Sequence, residues 1–150
     1  MPPGVQPEPE TVLIIDDEPH ARRIIEIHLR ACGFKTISAK NAAQGMVLAK
    51  EQSPTLVLLD VMMPDVNGLE LLYDLRNEER TKSLLVFMMT TQSMIDDIEK
   101  AFAIGADDYI TKPFDPEKLG DVLKYKLKKR RAERGLTADL PSDEPIIDGE

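Results

Sequence analysis

Four apolar runs in this 150-residue chain lead into side chains that could do chemistry together. Residues 12–15 run into Asp16, Asp17 and Glu18, and residues 56–59 run into Asp60. Residues 84–89 run into Thr90 and Thr91, and residues 109–110 are soon followed by Lys112 and Pro113. Three carboxylates packed together repel, and one is driven to keep a proton unless cations balance them. A lysine supplies one positive charge and a divalent metal the rest. Mg²⁺ suits such a site, with Mn²⁺ as an alternative, because it accepts one or two carboxylates and keeps waters and a phosphate oxygen. An aspartate there can act as nucleophile toward phosphorus. Phosphoryl transfer asks for little beyond positioning and neutralised charge, which a metal, a lysine and a hydroxyl provide. Singly, each feature has an ordinary reading: a helix-capping turn, a loop acid, a lysine-proline turn. Their joint appearance, in order, is what points to phosphoryl chemistry.

The elements that must position these residues follow from the pattern around them. The runs at 12–15, 56–59, 84–89 and 109–110 are almost wholly apolar, and 36–38 sets Ile37 between two small hydroxyl residues, as strands of a parallel sheet covered on both faces allow. Residues 86–89 could equally form a buried helical turn, but the spacing of the set argues for strands. Helical patterns lie between and after them. Residues 19–32 start at Pro19 and stop at Gly33, with Ile24, Ile25, Ile27, His28 and Leu29 on or beside one face. Residues 41–52 start at a capping Asn41 and carry Ala42, Met46, Leu48 and Ala49 inward. Residues 68–77 carry Leu69, Leu72 and Leu75. Residues 93–104 start at Ser93, with Ile95, Ile98, Ala101 and Phe102 spaced to face inward. Residues 115–131 start with Asp115 as cap and Pro116 as first helical residue, over a stripe of Leu119, Val122, Leu123 and Leu127. Strict alternation demands parallel strands joined by right-handed crossovers, hence an open doubly wound α/β fold. A barrel of eight such units would need roughly 250 residues. With the flavodoxin-like strand order 2-1-3-4-5, the first and third strands are neighbours. Asp16, Asp17 and Asp60 would then converge at the carboxyl edge of the sheet, with Thr90 and Lys112 beyond them.

Composition sets the bounds. Hydrophobic residues at 42% and charged residues at 31% describe an ordinary globular chain, and no apolar run approaches the roughly 20 residues that span a bilayer. No contact with a membrane is expected. The start of the chain has neither a basic nor an apolar stretch, so it does not read as a secretory signal. Cys32 stands alone, which fits a reducing cytoplasm; beside Leu29, Ala31 and Phe34 it reads as a small core residue rather than a reactive thiol. Residues 1–10, with four prolines, read as a flexible leader, and residues 11–134 as the domain. The net charge of −8 disfavours direct nucleic-acid binding. That charge is uneven: residues 122–134 hold seven basic side chains and one acidic, and residues 135–150 hold five acidic and none basic. A basic helix end is thus followed by an acidic tail or linker.

The stretches Val-Leu-Ile-Ile-Asp-Asp-Glu (12–18), Leu-Val-Leu-Leu-Asp-Val-Met-Met-Pro-Asp-Val-Asn-Gly (56–68) and Gly-Ala-Asp-Asp-Tyr-Ile-Thr-Lys-Pro-Phe (105–114), with the strand ending at Thr90, resemble the receiver domains of bacterial two-component response regulators. The resemblance covers about residues 11–130. It implies that Asp60 is the phosphoacceptor, that Asp17 is the direct metal carboxylate, and that Asp16 is its mostly water-mediated partner. It implies the backbone carbonyl of Met62 as the third protein ligand. Lys112 and Thr90 would bind phosphoryl oxygens, Tyr109 would change rotamer with Thr90, and the Lys112-Pro113 bond would be cis. Met62 and Gln92, two residues after the acceptor and after Thr90, would tune the lifetime of the phosphoryl group. Thr91 departs from the family's usual Ala or Gly and adds bulk there.

Three readings compete. The first is a switch that is phosphorylated by a histidine kinase or phosphotransfer protein and assists its own phosphorylation and dephosphorylation without being an enzyme toward other substrates. The second is an aspartyl-phosphate phosphatase, which needs an acid two residues after the nucleophile, where this chain has Met62. The third is a binding module that keeps the fold without being phosphorylated, against which the complete set of five site residues argues. For output, the basic helix end is either a solvated face or one side of a homodimer. By the same resemblance, that homodimer would form through the fourth helix, fifth strand and fifth helix. There Asp96, Asp97, Glu99, Asp107 and Asp108 would face the bases of a second copy.

Overall fold

The computed structural model describes residues 9–63, 67–91, 93 and 96–134; the expected tail, most of the leader, Gln92 and Ile95 lie outside them. Five strands alternate with five helices. They are β1 (Thr11–Ile15), α1 (Pro19–Ala31), β2 (Lys35–Ala39), α2 (Ala42–Gln52), β3 (Leu56–Asp60), α3 (Gly68–Arg76), β4 (Leu85–Thr91), α4 (Asp96–Ile104), β5 (Asp108–Lys112) and α5 (Pro116–Glu133). All pairings are parallel and the order is β2-β1-β3-β4-β5, as expected. Residues 86–89 are strand, and the strand runs on through Thr90 and Thr91.

Side chains along a strand alternate between faces, so a sheet buried on both sides needs apolar residues at every position. Leu13, Ile15, Val57, Leu59, Val86 and Met88 pack on one side against Ala49, Leu72, Leu75 and Ala101 of α2, α3 and α4. Val12, Ile14, Leu56, Leu58, Phe87 and Met89 pack on the other against Ile25, Leu29, Leu119, Leu123 and Leu127 of α1 and α5. Cys32 packs against this second cluster, as its apolar neighbours suggested.

The helix ends are capped by local chemistry. Asn41 caps α2, and Asp115 caps α5 in front of Pro116. Glu18 caps α1, its carboxylate accepting from the amides of His20 and Ala21 at 3.1 and 2.7 Å. Three expectations are corrected. In α1 only Ile25 and Leu29, one turn apart, are fully inward, whereas Ile24 and Ile27 are 45% and 53% exposed. Helix α4 begins at Asp96, placing Asp96, Asp97 and Glu99 at its positive dipole end. Its Phe102 is 44% exposed and meets the Tyr109 ring edge-on at 6.2 Å.

The basic end of α5 is bound into its own chain. Asp108, buried at the start of β5, accepts from Lys126 Nζ at 3.2 Å and Arg130 Nε at 3.0 Å. Its neighbour Asp107 holds Arg134 at 2.6 Å and Arg76 at 2.8 Å, and also accepts from the Val86 amide. Asp107 and Asp108 therefore do not wait for a second copy, because their partners lie within reach on α3 and α5. Removing one side of a buried pair leaves an uncompensated charge. Asp108→Asn is expected to lower stability by about 3 kcal/mol, read as a shift in the urea midpoint, and an unchanged midpoint would contradict the clamp.

Candidate functional site

Four strand ends meet at the carboxyl edge of the sheet. Carboxylate oxygens of Asp16, Asp17 and Asp60 lie within 4.8 Å of one another. Pairing of β1 with β3 does this, since Ile15 stands beside Leu59 in register. Asp16 and Asp60 are buried, and Asp17 is the more open. Glu18, which follows them, is spent on capping α1. Asp16 also serves the turn, because its Oδ1 accepts from the Glu18 amide at 3.0 Å while Oδ2 faces the crevice.

Lys112 closes the other side. Its Nζ reaches Asp16 Oδ2 at 3.1 Å and Asp60 Oδ2 at 3.4 Å. The bond from Lys112 to Pro113 is cis. Thr90 is buried on β4 in register with Thr111, and Thr91 is in register with Lys112. The hydroxyls of Thr91 and Ser93 lie 2.9 Å apart. Tyr109 is half-buried, with the Lys126 ammonium 5.9 Å over its ring. The Met62 amide donates to Asp60 Oδ1 at 3.2 Å, while the Met62 side chain is 59% exposed. The sequence pattern thus brought Asp16, Asp17, Asp60 and Lys112 into one cluster, with Thr90 and Thr91 at the adjacent strand end. Gln92 cannot be placed among them because it lies outside the described residues.

Burial pushes the Asp60 carboxyl up to about 6; the Lys112 ammonium works against that rise and the Asp16 carboxylate adds to it. Burial pulls the Lys112 ammonium down, but Asp60 and Asp16 together outweigh it and hold it above its ordinary value. One lysine does not neutralise three carboxylates. The donor set consists of hard oxygens, clustered and short of positive charge, which fits Mg²⁺ or a similar divalent ion.

Two supporting residues escaped the sequence reading. The Arg22 guanidinium donates to the Asp16 backbone carbonyl at 2.7 Å, tying α1 to the strand end that carries two of the carboxylates. Nothing in the local pattern distinguishes Arg22 from Arg23 beside it. Gly68 opens α3 directly against the acceptor strand: a Cβ there would sit 2.3 Å from the Asp60 carbonyl oxygen and 2.8 Å from Val61 Cα. Its signal was the Asn-Gly pair after Asp60, where Asn67 caps the helix and only a hydrogen fits behind it.

A family model for the response regulator receiver domain matches residues 12–124. The chain belongs to the response regulator receiver family. It is 37% identical over 120 residues to the phosphate regulon transcriptional regulatory protein PhoB of Pseudomonas aeruginosa, covering 80% of this chain and 52% of that protein. It is 40% identical over 108 residues to the DNA-binding dual master transcriptional regulator RpaA of Synechocystis, covering 72% and 45%. The receiver chain thus spans about half the length of these curated relatives. Among solved structures, the chemotaxis protein CheY4 of Vibrio cholerae superposes with a TM-score of 0.72 at 26% identity, covering 77% of this chain and 97% of that one. NtrX of Brucella abortus superposes with a TM-score of 0.77 at 27% identity, covering 85% and 29%. Receiver domains are signalling switches worked by phosphorylation, and the crevice of carboxylates is where this receiver has the means for it.

The raised Asp60 carboxyl has a consequence for stability. A group whose folded value is raised stabilises the fold fully below its unfolded value, near 4, and that contribution is lost as pH rises through about 6. Asp60→Asn removes the ionised form. Each tenfold change in proton affinity is worth about 1.4 kcal/mol, so in metal-free buffer at neutral pH the variant is expected to be more stable than the parent by about 1–3 kcal/mol. The advantage should vanish near pH 4, and urea titrations at several pH values check both ends.

Proposed function

We propose that Asp60 accepts a phosphoryl group from a histidine kinase or phosphotransfer protein, and that the change is relayed through Thr90 and Tyr109. The observation that carries this is the convergence of Asp16, Asp17, Asp60 and Lys112 on one buried edge, with Asp60 against both Lys112 and the Met62 amide. An Asp60 carboxylate oxygen forms the new bond to phosphorus as the donor's nitrogen–phosphorus bond breaks, and the leaving imidazole nitrogen takes up a proton. Lys112, which rests on Asp16 and Asp60, would then pair with the phosphoryl oxygens, and the Thr90 hydroxyl would turn to them. Asp16, Asp17 and the Met62 carbonyl would hold Mg²⁺ (or Mn²⁺), which when bound supplies the positive charge that Lys112 alone lacks.

The rim of the crevice offers a place for the donor. An apolar groove of about 380 Å³ is lined by Ile24, Ile25, Thr91, Pro113, Phe114 and Pro116, with Lys112 at its edge. A donor protein that brings a phosphohistidine to Asp60 would cover it, which gives exposed Ile24 a reason. Movement of Thr90 would be felt at Tyr109 through the paired ends of β4 and β5, which biases a two-state surface. A homodimer through α4, β5 and α5 would rest on exposed Phe102 and the acids of α4, since Asp107 and Asp108 are engaged within the chain. We place this receiver in the cytoplasm, without direct nucleic-acid or membrane contact of its own. Among the described residues no helix is long and apolar enough to cross a membrane. The domain is taken as residues 11–134, with the leader and tail outside it.

Two outcomes follow for the chemistry. Acetyl phosphate with Mg²⁺ should add one phosphoryl group by intact mass, and Asp60→Asn, excess chelator or Asp17→Ala should each remove most of it. Labelling of Asp60→Asn at the parental level would move the acceptor elsewhere. Met62 and Thr91 flank the phosphoryl position and, with Gln92, would set its lifetime. Thr91→Ala opens the approach of water and is expected to hydrolyse faster than the parent in a pulse-chase; an equal or slower rate would count against steric protection.

A further inference from the structure

The charges left over on α5 mark a second surface, far from the crevice. Four of the seven bases between residues 122 and 134 are paired inside the chain: Lys126 and Arg130 with Asp108, Arg134 with Asp107, and Arg131 with Glu10. Lys124 and Lys128 remain exposed, one turn apart on one stripe. They line a groove of about 230 Å³ with Glu10, Leu127 and Arg131. A second groove of about 420 Å³, lined by Pro9, Arg30, Phe34 and Lys35, adjoins it. The two meet where the Lys124 ammonium sits 5.9 Å over the Phe34 ring and where Pro9 joins Glu10. Five bases therefore surround this region, and among the described residues the acids paired with them are Glu10 and Glu26. On a chain of net charge −8, a basic groove of this kind calls for an acidic occupant.

We propose that the occupant is the chain's own acidic segment, residues 135–150, docking in cis along α5 and the start of β2. Three observations support it. That segment holds Asp139, Asp143, Glu144, Asp148 and Glu150 with no base among them, so its sign matches. It follows directly on Arg134, which Asp107 and the Ser83 carbonyl hold at the end of α5. An extended chain covers about 3.3 Å per residue, so Asp139 reaches roughly 16 Å from Arg134. Lys128 lies only about 9 Å back along the helix axis. Ile146 and Ile147 stand among the acids and can meet the carbon of Leu127 and Phe34. Tethering keeps the local concentration of the acids high, so a weak contact is populated without a partner. The docked segment masks the basic face from other polyanions and is released by salt.

The test compares amide shifts of the full chain with those of a variant carrying Asp139→Asn, Asp143→Asn, Glu144→Gln, Asp148→Asn and Glu150→Gln. At low salt the differences should concentrate at Phe34, Lys35, Lys124, Lys128 and Arg131, disappear at high salt, and stay constant on dilution. A free peptide of residues 135–150 added to the neutralised variant should restore the parental positions, and Lys124→Glu with Lys128→Glu should abolish that restoration. No differences at low salt, or differences spread over α4 or the crevice, would overturn the proposal. Differences that fade on dilution together with a dimer mass by light scattering would assign the groove to a second copy and overturn docking in cis.

Discussion

Like charges confined at one edge of a parallel sheet are the constraint on which this receiver is organised. The β1–β3 pairing places Asp16 and Asp60 where water cannot screen them, and Asp17 stands beside them. Such a cluster persists only with cations close by. Lys112 is one of them, held there by the end of β5. The cluster is therefore poised: it needs more positive charge and has a carboxylate, Asp60, pushed up to about 6, that gains most from receiving it. Metal binding and phosphoryl transfer, as proposed, would both act on this one electrostatic imbalance.

The opposite edge of the sheet shows the reverse arrangement. There Asp107 and Asp108 are fully matched, each held by two cations. The consequence is mechanical, because the clamps join α3, β4, β5 and α5 into one unit. In the proposed relay, a shift at Thr90 would be taken up where the packing is loosest. The half-buried Tyr109, edge-on to exposed Phe102, is such a place.

Much of this was legible in the sequence, for physical reasons. Short, largely apolar runs alternating with helical patterns admit few architectures, and a parallel sheet puts every strand's carboxyl end on one edge. The meeting of Asp16, Asp17, Asp60 and Lys112 followed once the flavodoxin-like order 2-1-3-4-5 was assumed, an order that alternation alone leaves open. Caps at Asn41 and Asp115 were equally local, since an N-cap is decided by its own residue and the amides just after it.

What only the tertiary structure decided depends on contacts between residues distant in the chain. Ile24 and Ile27 look like core because periodicity cannot tell a stripe covered by the sheet from one that flanks it; in the fold Ile25 and Leu29 take the covered positions and Ile24 and Ile27 stay about half exposed. Arg22 matters through a backbone carbonyl six residues away, a partner with no side-chain identity to read. Asp107, Asp108 and the bases of α5 look like surface charge in sequence. Only the packing of α5 across β5 pairs them, and that pairing separates the charges that hold the fold from those left free to bind.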